Sequence, residues 1–206
     1  MGNAQSEMWD KRYSNENFVY GIHPNEFFKE ELMKLDIGRV LLPAEGEGRN
    51  AVFAASQLWE VVAFDLSNEG RLKALNLAKE NNVKIDYEVA CFESFKAEKE
   101  SFDCIALIYA HVPEAKRQEY HRIMSEYLKP GGVLILEGFS KEQLGRESGG
   151  PGKLEILYST ENLIDDFSDL ETLSLQEVEV ELSEGVFHQG LASVIRYVGK
   201  KPIKTK

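Results

Sequence analysis

The sequence predicts an α/β protein with a doubly wound, mostly parallel sheet that ends in an antiparallel hairpin at its C-terminal edge. Apolar strand candidates alternate with helix candidates, which is the pattern of a parallel sheet covered by helices on both faces. Two long alternating segments near the C-terminus have no helix between them, so they should pair antiparallel. The 206 residues, 43% hydrophobic and 29% charged, have the size and composition of a single globular domain.

The first half of the chain contains three strand candidates with their helices. An aromatic-rich segment over residues 9–20 leads into a helix over 25–35, whose apolar side chains recur at helical spacing. The strands are predicted at 39–42, 61–64 and 85–90, and the next two helices at 49–58 and 69–81.

The second half supplies four more strands. One is predicted at 102–108, and Pro113 suits the first turn of a helix that reaches residue 127. A turn at 129–132 precedes the fifth strand, at 133–137, and a glycine-rich stretch over 145–152 follows it. After a helix near 160–167, the hairpin strands are predicted at 173–182 and 191–198.

No internal repeat or domain boundary is visible in the pattern. The prediction is therefore one domain over residues 1–206, with residues 1–7 disordered. Residues 8–24, here named the covering segment, are predicted to lie over a cofactor or substrate.

A glycine loop follows the first strand. Gly46 and Gly48 lack side chains, so the backbone there can approach a ligand closely, and the helix that begins beside them offers free N–H groups. Asp65 ends the next strand, about 20 residues further on, where a nucleotide-binding βαβ unit places the carboxylate that holds ribose hydroxyls. The sequence thus predicts a nucleoside-containing cofactor; the alternative is a tight strand–helix turn that binds nothing.

The same loop also fits the dinucleotide pattern G-x-G-x-x-A over residues 46–51, so an NAD(P)-dependent oxidoreductase is an alternative. Glu45 and Glu47 flank Gly46, however, and would repel a pyrophosphate. S-adenosylmethionine carries an ammonium and a sulfonium that suit these carboxylates, and its one carboxylate suits the helix N–H groups. The chain also has no room for the separate substrate domain of many dehydrogenases. S-adenosylmethionine is the favoured cofactor.

Four segments resemble class I S-adenosylmethionine-dependent methyltransferases in their order and spacing: VLLPAEGEGRNAVFAA, VVAFDLS, FDCIALIYAHVP and LKPGGVLILEGF. The segments WDKRYSNENFVYGIHPNEFF and EGVFHQGLASVIRYVGKK resemble more narrowly the TehB-like branch, which includes tellurite-resistance and thiopurine methyltransferase-like proteins. The resemblance covers roughly residues 8–201. It implies a Rossmann-like seven-stranded sheet in the order 3-2-1-4-5-7-6.

The resemblance also implies a cofactor site at the ends of four strands. The glycine loop would contact the amino-acid portion, Asp65 the ribose, and the segment after the third strand the adenine. The implied cofactor-binding residues are Glu45, Gly46, Glu47, Gly48, Arg49, Asn50, Asp65, Leu66, Cys91, Phe92 and Tyr109. Three positions depart from the family's usual residues, which are an acid at Leu42, a glycine at Ala44 and an aspartate at Cys91, so a non-catalytic S-adenosylmethionine-binding protein is a further alternative.

Two residues are predicted to act at the reacting methyl. His111 lies on the loop after the fourth strand and could serve as general base or orient the acceptor; otherwise it packs on Tyr109 or caps the next helix. Tyr20 could cover a sulfonium by a cation–π contact, or simply pack. His188, in the hairpin, is assigned to the turn slightly more than to substrate contact.

The predicted acceptor is a small molecule, and the resemblance alone suggests an oxyanion, a thiol or a thiopurine-like compound. A net charge of −11 argues against a nucleic-acid partner. Without a bilayer-length apolar run or a secretory signal, and with Cys91 and Cys104 in strand candidates, the protein is expected in the cytoplasm, with no membrane or metal partner. We expect a monomer or weak homodimer.

Overall fold

Residues 2–203 are described by a computed structural model that contains seven strands and six α-helices. The strands are β1 Arg39–Pro43, β2 Glu60–Asp65, β3 Asp86–Val89, β4 Phe102–Ile108, β5 Leu128–Phe139, β6 Glu171–Glu184 and β7 His188–Lys200. The helices are α1 Gly2–Tyr13, α2 Glu26–Leu32, α3 Arg49–Ser56, α4 Asn68–Glu80, α5 Glu114–Tyr127 and α6 Thr160–Asp166.

The strands form one sheet in the order β3-β2-β1-β4-β5-β7-β6. The first five are parallel, because a helix or a long connection returns the chain between them, whereas β6 and β7 join through a short turn and pair antiparallel. β7 also pairs antiparallel with β5 and so lies between β5 and β6. The predicted fold class and strand order are confirmed.

Alternate residues of each central strand enter the cores on the two sides of the sheet. Leu41, Ile105 and Leu134 pack against the face that α5 and α6 cover. Their neighbours Val40 and Cys104 pack on the opposite face, beneath α2, α3 and α4. Because both faces are covered, most residues of the central strands are apolar.

Helix α1 is the largest departure from the sequence prediction. Residues 2–7, which were expected to be disordered, form its first turns, and Met1 lies outside the described residues. The side chains that hold this helix reach distant elements: Ser6 Oγ donates to the carbonyl of Leu66 at 3.0 Å, and Asp10 Oδ1 accepts from Ser67 Oγ at 2.6 Å. Such tertiary contacts leave no periodic signal in the local sequence.

The predicted turn at 129–132 is wrong in one respect, because these residues belong to β5. Leu128 already pairs with Phe102, and a register shift follows before Val133 pairs with Cys104. Gly131 has a φ of +82° and donates its N–H to the carbonyl of Lys201 at 2.8 Å. The glycines therefore form an irregularity within the strand rather than a turn before it.

Gly48 should be sensitive to the smallest substitution. Its φ is +88°, and an added Cβ would lie 2.8 Å from Cα of Ala74 on helix α4, whose backbone cannot move aside cheaply. Gly145 is a matched control, since its φ is +87° but nothing lies within 4 Å of the added Cβ. We expect Gly48→Ala to reduce the free energy of unfolding by about 1–3 kcal/mol more than Gly145→Ala, as measured by urea denaturation. Equal losses would mean that only the backbone conformation matters.

Candidate active site

Polar side chains collect at the carboxyl edge of the sheet, beyond the ends of β1, β2 and β5. Open α/β sheets bind ligands at this edge. The buried members are Asn25, Glu45, Glu47, Arg49, Asn50, Asp65, Glu137 and His188. Burial of so many polar groups requires hydrogen-bond or ion-pair partners, and these partners show what each residue can do.

Glu45 occupies the amino end of helix α3. Its Oε1 accepts the backbone N–H groups of Asn50 and Ala51, both at 2.8 Å. Burial raises the pKa of this carboxyl from 4.5 to about 7, despite these hydrogen bonds. The two N–H groups are therefore bound within the protein, and the expectation that they await a ligand carboxylate is wrong for this structure.

Glu47 anchors the covering segment to the glycine loop. Its Oε2 accepts from the N–H of Val19 at 2.8 Å, and its Oε1 lies 2.6 Å from Lys73 Nζ. Both acidic side chains around Gly46 thus have protein partners. The prediction that these carboxylates attract a cationic cofactor therefore stays a prediction, and neither residue offers a pyrophosphate a positive charge.

Asp65 stands at the end of β2, beside the glycine loop, as the sequence predicts. Its Oδ2 accepts from the N–H of Gly46 at 3.1 Å, and its Oδ1 accepts from that of Ser67 at 2.8 Å. Burial raises the pKa of Asp65 to about 6. A carboxylate can accept about four hydrogen bonds, so both oxygens retain capacity for ligand hydroxyls.

Tyr13 lies directly over the glycine loop. Gly46 has a φ of +63°, and a Cβ added there would lie 2.7 Å from Tyr13 Oη. Trp9, one turn earlier on α1, stacks on the Tyr13 ring at 5.4 Å between centroids. Tyr13 was not among the predicted site residues; the spacing of two aromatic residues four apart on a helix is the signal that could have found it.

The segment after β3 lies beside Asp65. The N–H of Ala90 donates to the carbonyl of Asp65 at 2.9 Å, and Phe92 packs edge-on against Phe64. Cys91 is half-buried, with its Sγ 3.3 Å from Ser94 Oγ. The predicted adenine residues therefore share an edge with the predicted ribose residue, and their contact with a cofactor stays a prediction. Leu66, also predicted there, offers its carbonyl to α1.

His111 has no free ring nitrogen. Its Nδ1 lies 2.7 Å from the carbonyl of Ile156, and its Nε2 accepts the N–H of Phe139 at 3.1 Å. Burial lowers the pKa of His111 to about 4. The imidazole is thus neutral, bound to two backbone groups and stacked on Tyr158, and this arrangement contradicts the prediction that His111 is the general base.

Tyr20 turns its ring toward the site while its polar atoms bind neighbours. Its hydroxyl accepts from Arg12 at 3.0 Å and its carbonyl accepts from Arg49 at 3.2 Å. The ring centroid lies 4.6 Å from that of His188 and 6.5 Å from that of Tyr13. This placement is compatible with a covering aromatic residue, and a role in catalysis stays a prediction.

Tyr109 and Glu137 join β4 to β5 at the same edge. Tyr109 has a φ of +52°, and its hydroxyl donates to Glu137 Oε1 at 3.0 Å. Glu137 Oε2 accepts from Arg196 Nε at 2.6 Å, across directly paired positions of β5 and β7. Asn25 Nδ2 also donates to Glu137, at 2.5 Å, and to Glu184 at 3.2 Å.

Part of the chain matches a known family of proteins. Residues 40–132 match the family model described as "Methyltransferase domain", which spans the glycine loop, Asp65 and the segment after β4. No protein of curated function shows significant sequence similarity to the chain.

Solved structures share the fold of the methyltransferase domain over nearly the whole chain. One of these structures is described in connection with the conversion of a disulfide bond into a thioacetal group during echinomycin biosynthesis. It is 20% identical to this chain, with a TM-score of 0.73, and the alignment covers 98% of this chain and 93% of that chain. TehB from Haemophilus influenzae is 13% identical, with a TM-score of 0.72 and coverage of 96% and 67%. An S-adenosylmethionine-dependent methyltransferase from Clostridium acetobutylicum is 17% identical, with a TM-score of 0.65 and coverage of 97% and 98%.

These likenesses show that the protein shares the Rossmann-like α/β fold of these structures. The narrower TehB-like resemblance has only weak support. Among residues 2–203, no helix combines the length and the hydrophobicity needed to cross a membrane. The same residues contain no group of three or more His, Cys, Asp or Glu side chains placed to hold a metal ion.

The stability of the protein should respond to pH through Glu45. A carboxyl whose pKa is raised on folding, here from 4.5 to about 7, contributes most favourably below its unfolded pKa and loses that contribution as pH rises through the folded value. Between about pH 4.5 and about pH 7, wild type should therefore lose more stability than Glu45→Gln, by about 3 kcal/mol at most. Urea unfolding at a series of pH values measures this difference.

Glu80→Gln is the control for this experiment, because Glu80 is an exposed carboxylate at the end of α4. The unfolding free energy of Glu80→Gln should change with pH in the same way as that of wild type. Parallel curves for wild type and Glu45→Gln would show that Glu45 does not titrate in this range.

Proposed function

We propose that the protein is an S-adenosylmethionine-dependent methyltransferase that acts on a small-molecule acceptor. The observation that carries the proposal is the hydrogen bond of Asp65 to the N–H of Gly46, inside the region that matches a methyltransferase domain. It brings the carboxylate suited to ribose hydroxyls against the loop that can approach a ligand closely.

The residues at this edge fit the cofactor. Asp65 retains acceptor capacity for the ribose, and Gly46 has no side chain of its own, although Tyr13 lies above it and the Tyr87 hydroxyl donates to its carbonyl. Helix α1 therefore covers the loop, and Tyr13 must shift or share the space with the ligand. When bound, S-adenosylmethionine would supply a methyl group on a sulfonium, a leaving group that is already activated.

The acceptor side of the site is enclosed by two segments that meet. The N–H of Val186, in the turn between β6 and β7, donates to the carbonyl of Val19 at 2.9 Å. A Cβ added to Gly185 would lie 2.6 Å from Cα of Tyr20, so turn and covering segment are in close contact. An enclosed site excludes water and aligns small reactants, which is what methyl transfer requires of a protein. This close contact of the two segments supports a small-molecule acceptor over a polymeric one.

The oxidoreductase alternative has less support. A dinucleotide is held by hydrogen bonds from backbone N–H groups at a helix start to its pyrophosphate. At the start of α3, two of these N–H groups already donate to Glu45. Glu47 adds a second buried carboxylate on the same loop. Both would have to be displaced or protonated before a pyrophosphate could bind.

Isothermal titration calorimetry with S-adenosylhomocysteine and with NADH tests the proposal. We expect wild type to bind S-adenosylhomocysteine and not NADH. Asp65→Asn should weaken this binding about tenfold or more, because a charged acceptor for the ribose is lost. Asp86→Asn, an exposed carboxylate at the start of β3, is the matched control and should bind as wild type does.

Binding of NADH but not of S-adenosylhomocysteine would overturn the proposal. So would Asp65→Asn binding as tightly as wild type, since the ribose would then lie elsewhere. Consumption of S-adenosylmethionine with an acceptor panel separates an enzyme from a protein that only binds the cofactor.

A further inference from the structure

His188 is a buried histidine at the start of β7, surrounded by aromatic rings. The ring centroids of Tyr20 and Tyr109 each lie 4.6 Å from that of His188, and the centroid of Phe139 lies 5.2 Å away. A Cβ added to Gly149 would come within 2.9 Å of the imidazole, so the glycine-rich stretch closes a further side. The imidazole is thus held in one place by four separate segments.

One nitrogen of His188 is bound and the other is free. Nδ1 lies 3.1 Å from Glu184 Oε2, a carboxylate that can only accept, so Nδ1 carries the proton of a neutral ring. No described residue gives Nε2 a hydrogen bond. A histidine oriented by a carboxylate, with its other nitrogen unprotonated and unoccupied, has the arrangement of a general base. His111 lacks it, since both its nitrogens are bound to the backbone.

The charges around His188 are already balanced without a proton on it. Glu184 pairs with Arg49 at 2.9 Å, and Glu137 pairs with Arg196 at 2.6 Å. The remaining titratable groups that face the ring are Tyr20, Tyr109 and, more distantly, His111. Burial lowers the pKa of His188, although Glu184 acts to raise it. The neutral imidazole is therefore the resting form at neutral pH.

We propose that His188, oriented by Glu184, is the general base that takes a proton from a neutral hydroxyl on an aromatic acceptor. This inference rests on the proposed methyltransferase function and adds the acceptor class and the base. His188 takes the O–H proton on Nε2 as the acceptor oxygen bonds to the methyl carbon. The bond from that carbon to the sulfonium sulfur breaks, and its electron pair stays on sulfur. The imidazolium, stabilised by Glu184, then releases its proton to water.

The surroundings favour an aromatic hydroxyl over an oxyanion. The rings of Tyr20, Tyr109 and Phe139 surround the imidazole, and such rings suit contact with a flat apolar molecule. At the adjoining turn Val186 and Phe187 are 73% and 49% exposed, so the rim is apolar as well. Both guanidinium groups of the buried network are paired with carboxylates, and the nearby guanidinium of Arg12 binds the Tyr20 hydroxyl and lies over the Phe187 ring. A neutral acceptor needs a base, whereas an oxyanion does not.

Imidazole nitrogen NMR of the wild-type protein with S-adenosylhomocysteine tests the contact without turnover. The free Nε2 of His188 should shift when phenol is added and stay unchanged with anisole, which has the same ring without the hydroxyl proton. The resonance is assigned by its absence from His188→Gln. A shift with both compounds, or with neither, would overturn the proposed contact.

Methyl transfer to a phenol series separates a base from a packing residue. His188→Gln should lower kcat for phenol by about 100-fold or more, because general-base catalysis is lost. With para-nitrophenol at a pH where it is already ionised, the loss should be within about threefold. Glu80→Gln, at the exposed C-terminal end of α4, is the control and should leave both rates unchanged.

The outcomes distinguish the two proposals. Equal losses for both phenols would assign His188 a structural role and overturn the base. Wild type that binds S-adenosylhomocysteine but methylates no phenol would overturn the acceptor class and leave the cofactor assignment standing. Wild type that does not bind S-adenosylhomocysteine would overturn the proposed function itself.

Discussion

Arg49 joins parts of the chain that are far apart in sequence. It donates to the carbonyl of Tyr20 in the covering segment and pairs with Glu184, 135 residues away, at the end of β6. Both side chains of this ion pair are largely buried, so neither can be left without its partner at low cost. The covering segment, the glycine-loop helix and the hairpin therefore hold one another in place, and the arrangement of this edge depends on all three.

The same requirement explains why acidic residues dominate the site without making it strongly anionic. Glu47, Glu137 and Glu184 each have a cationic partner, and Glu45 binds backbone N–H groups. Isolated buried carboxylates would cost several kcal/mol each. These residues therefore shape the edge of the sheet and orient other groups there. Among the described polar groups at this edge, the spare lone pairs of Asp65 and Nε2 of His188 remain free to bind a ligand.

The fold was predictable because its signals are local. Alternating strands and helices, the glycine loop and the carboxylate at the end of β2 are all visible within short windows, and the strand order follows from them and the family resemblance. Helix α1 was not predicted, because it is held by the contacts of Asp10 and Ser6 with a distant element. For the candidate site, sequence position favoured His111 over His188, and only the contacts reveal which imidazole has a free nitrogen. The spacing of Glu184 and His188 across a glycine turn was the available signal.

The position of β7 between β5 and β6 has a consequence for how the protein is made on the ribosome. Domains emerge from their N-terminal side, so β1 to β5 can assemble while β7 is still unsynthesised. During that interval β5 presents an unpaired, apolar edge, the kind of surface that recruits strands from other chains. Arg49 likewise stays without its carboxylate partner until Glu184 emerges. The nascent protein therefore passes through a stage in which its sheet is open at one side, and rapid completion of the hairpin is its protection against aggregation.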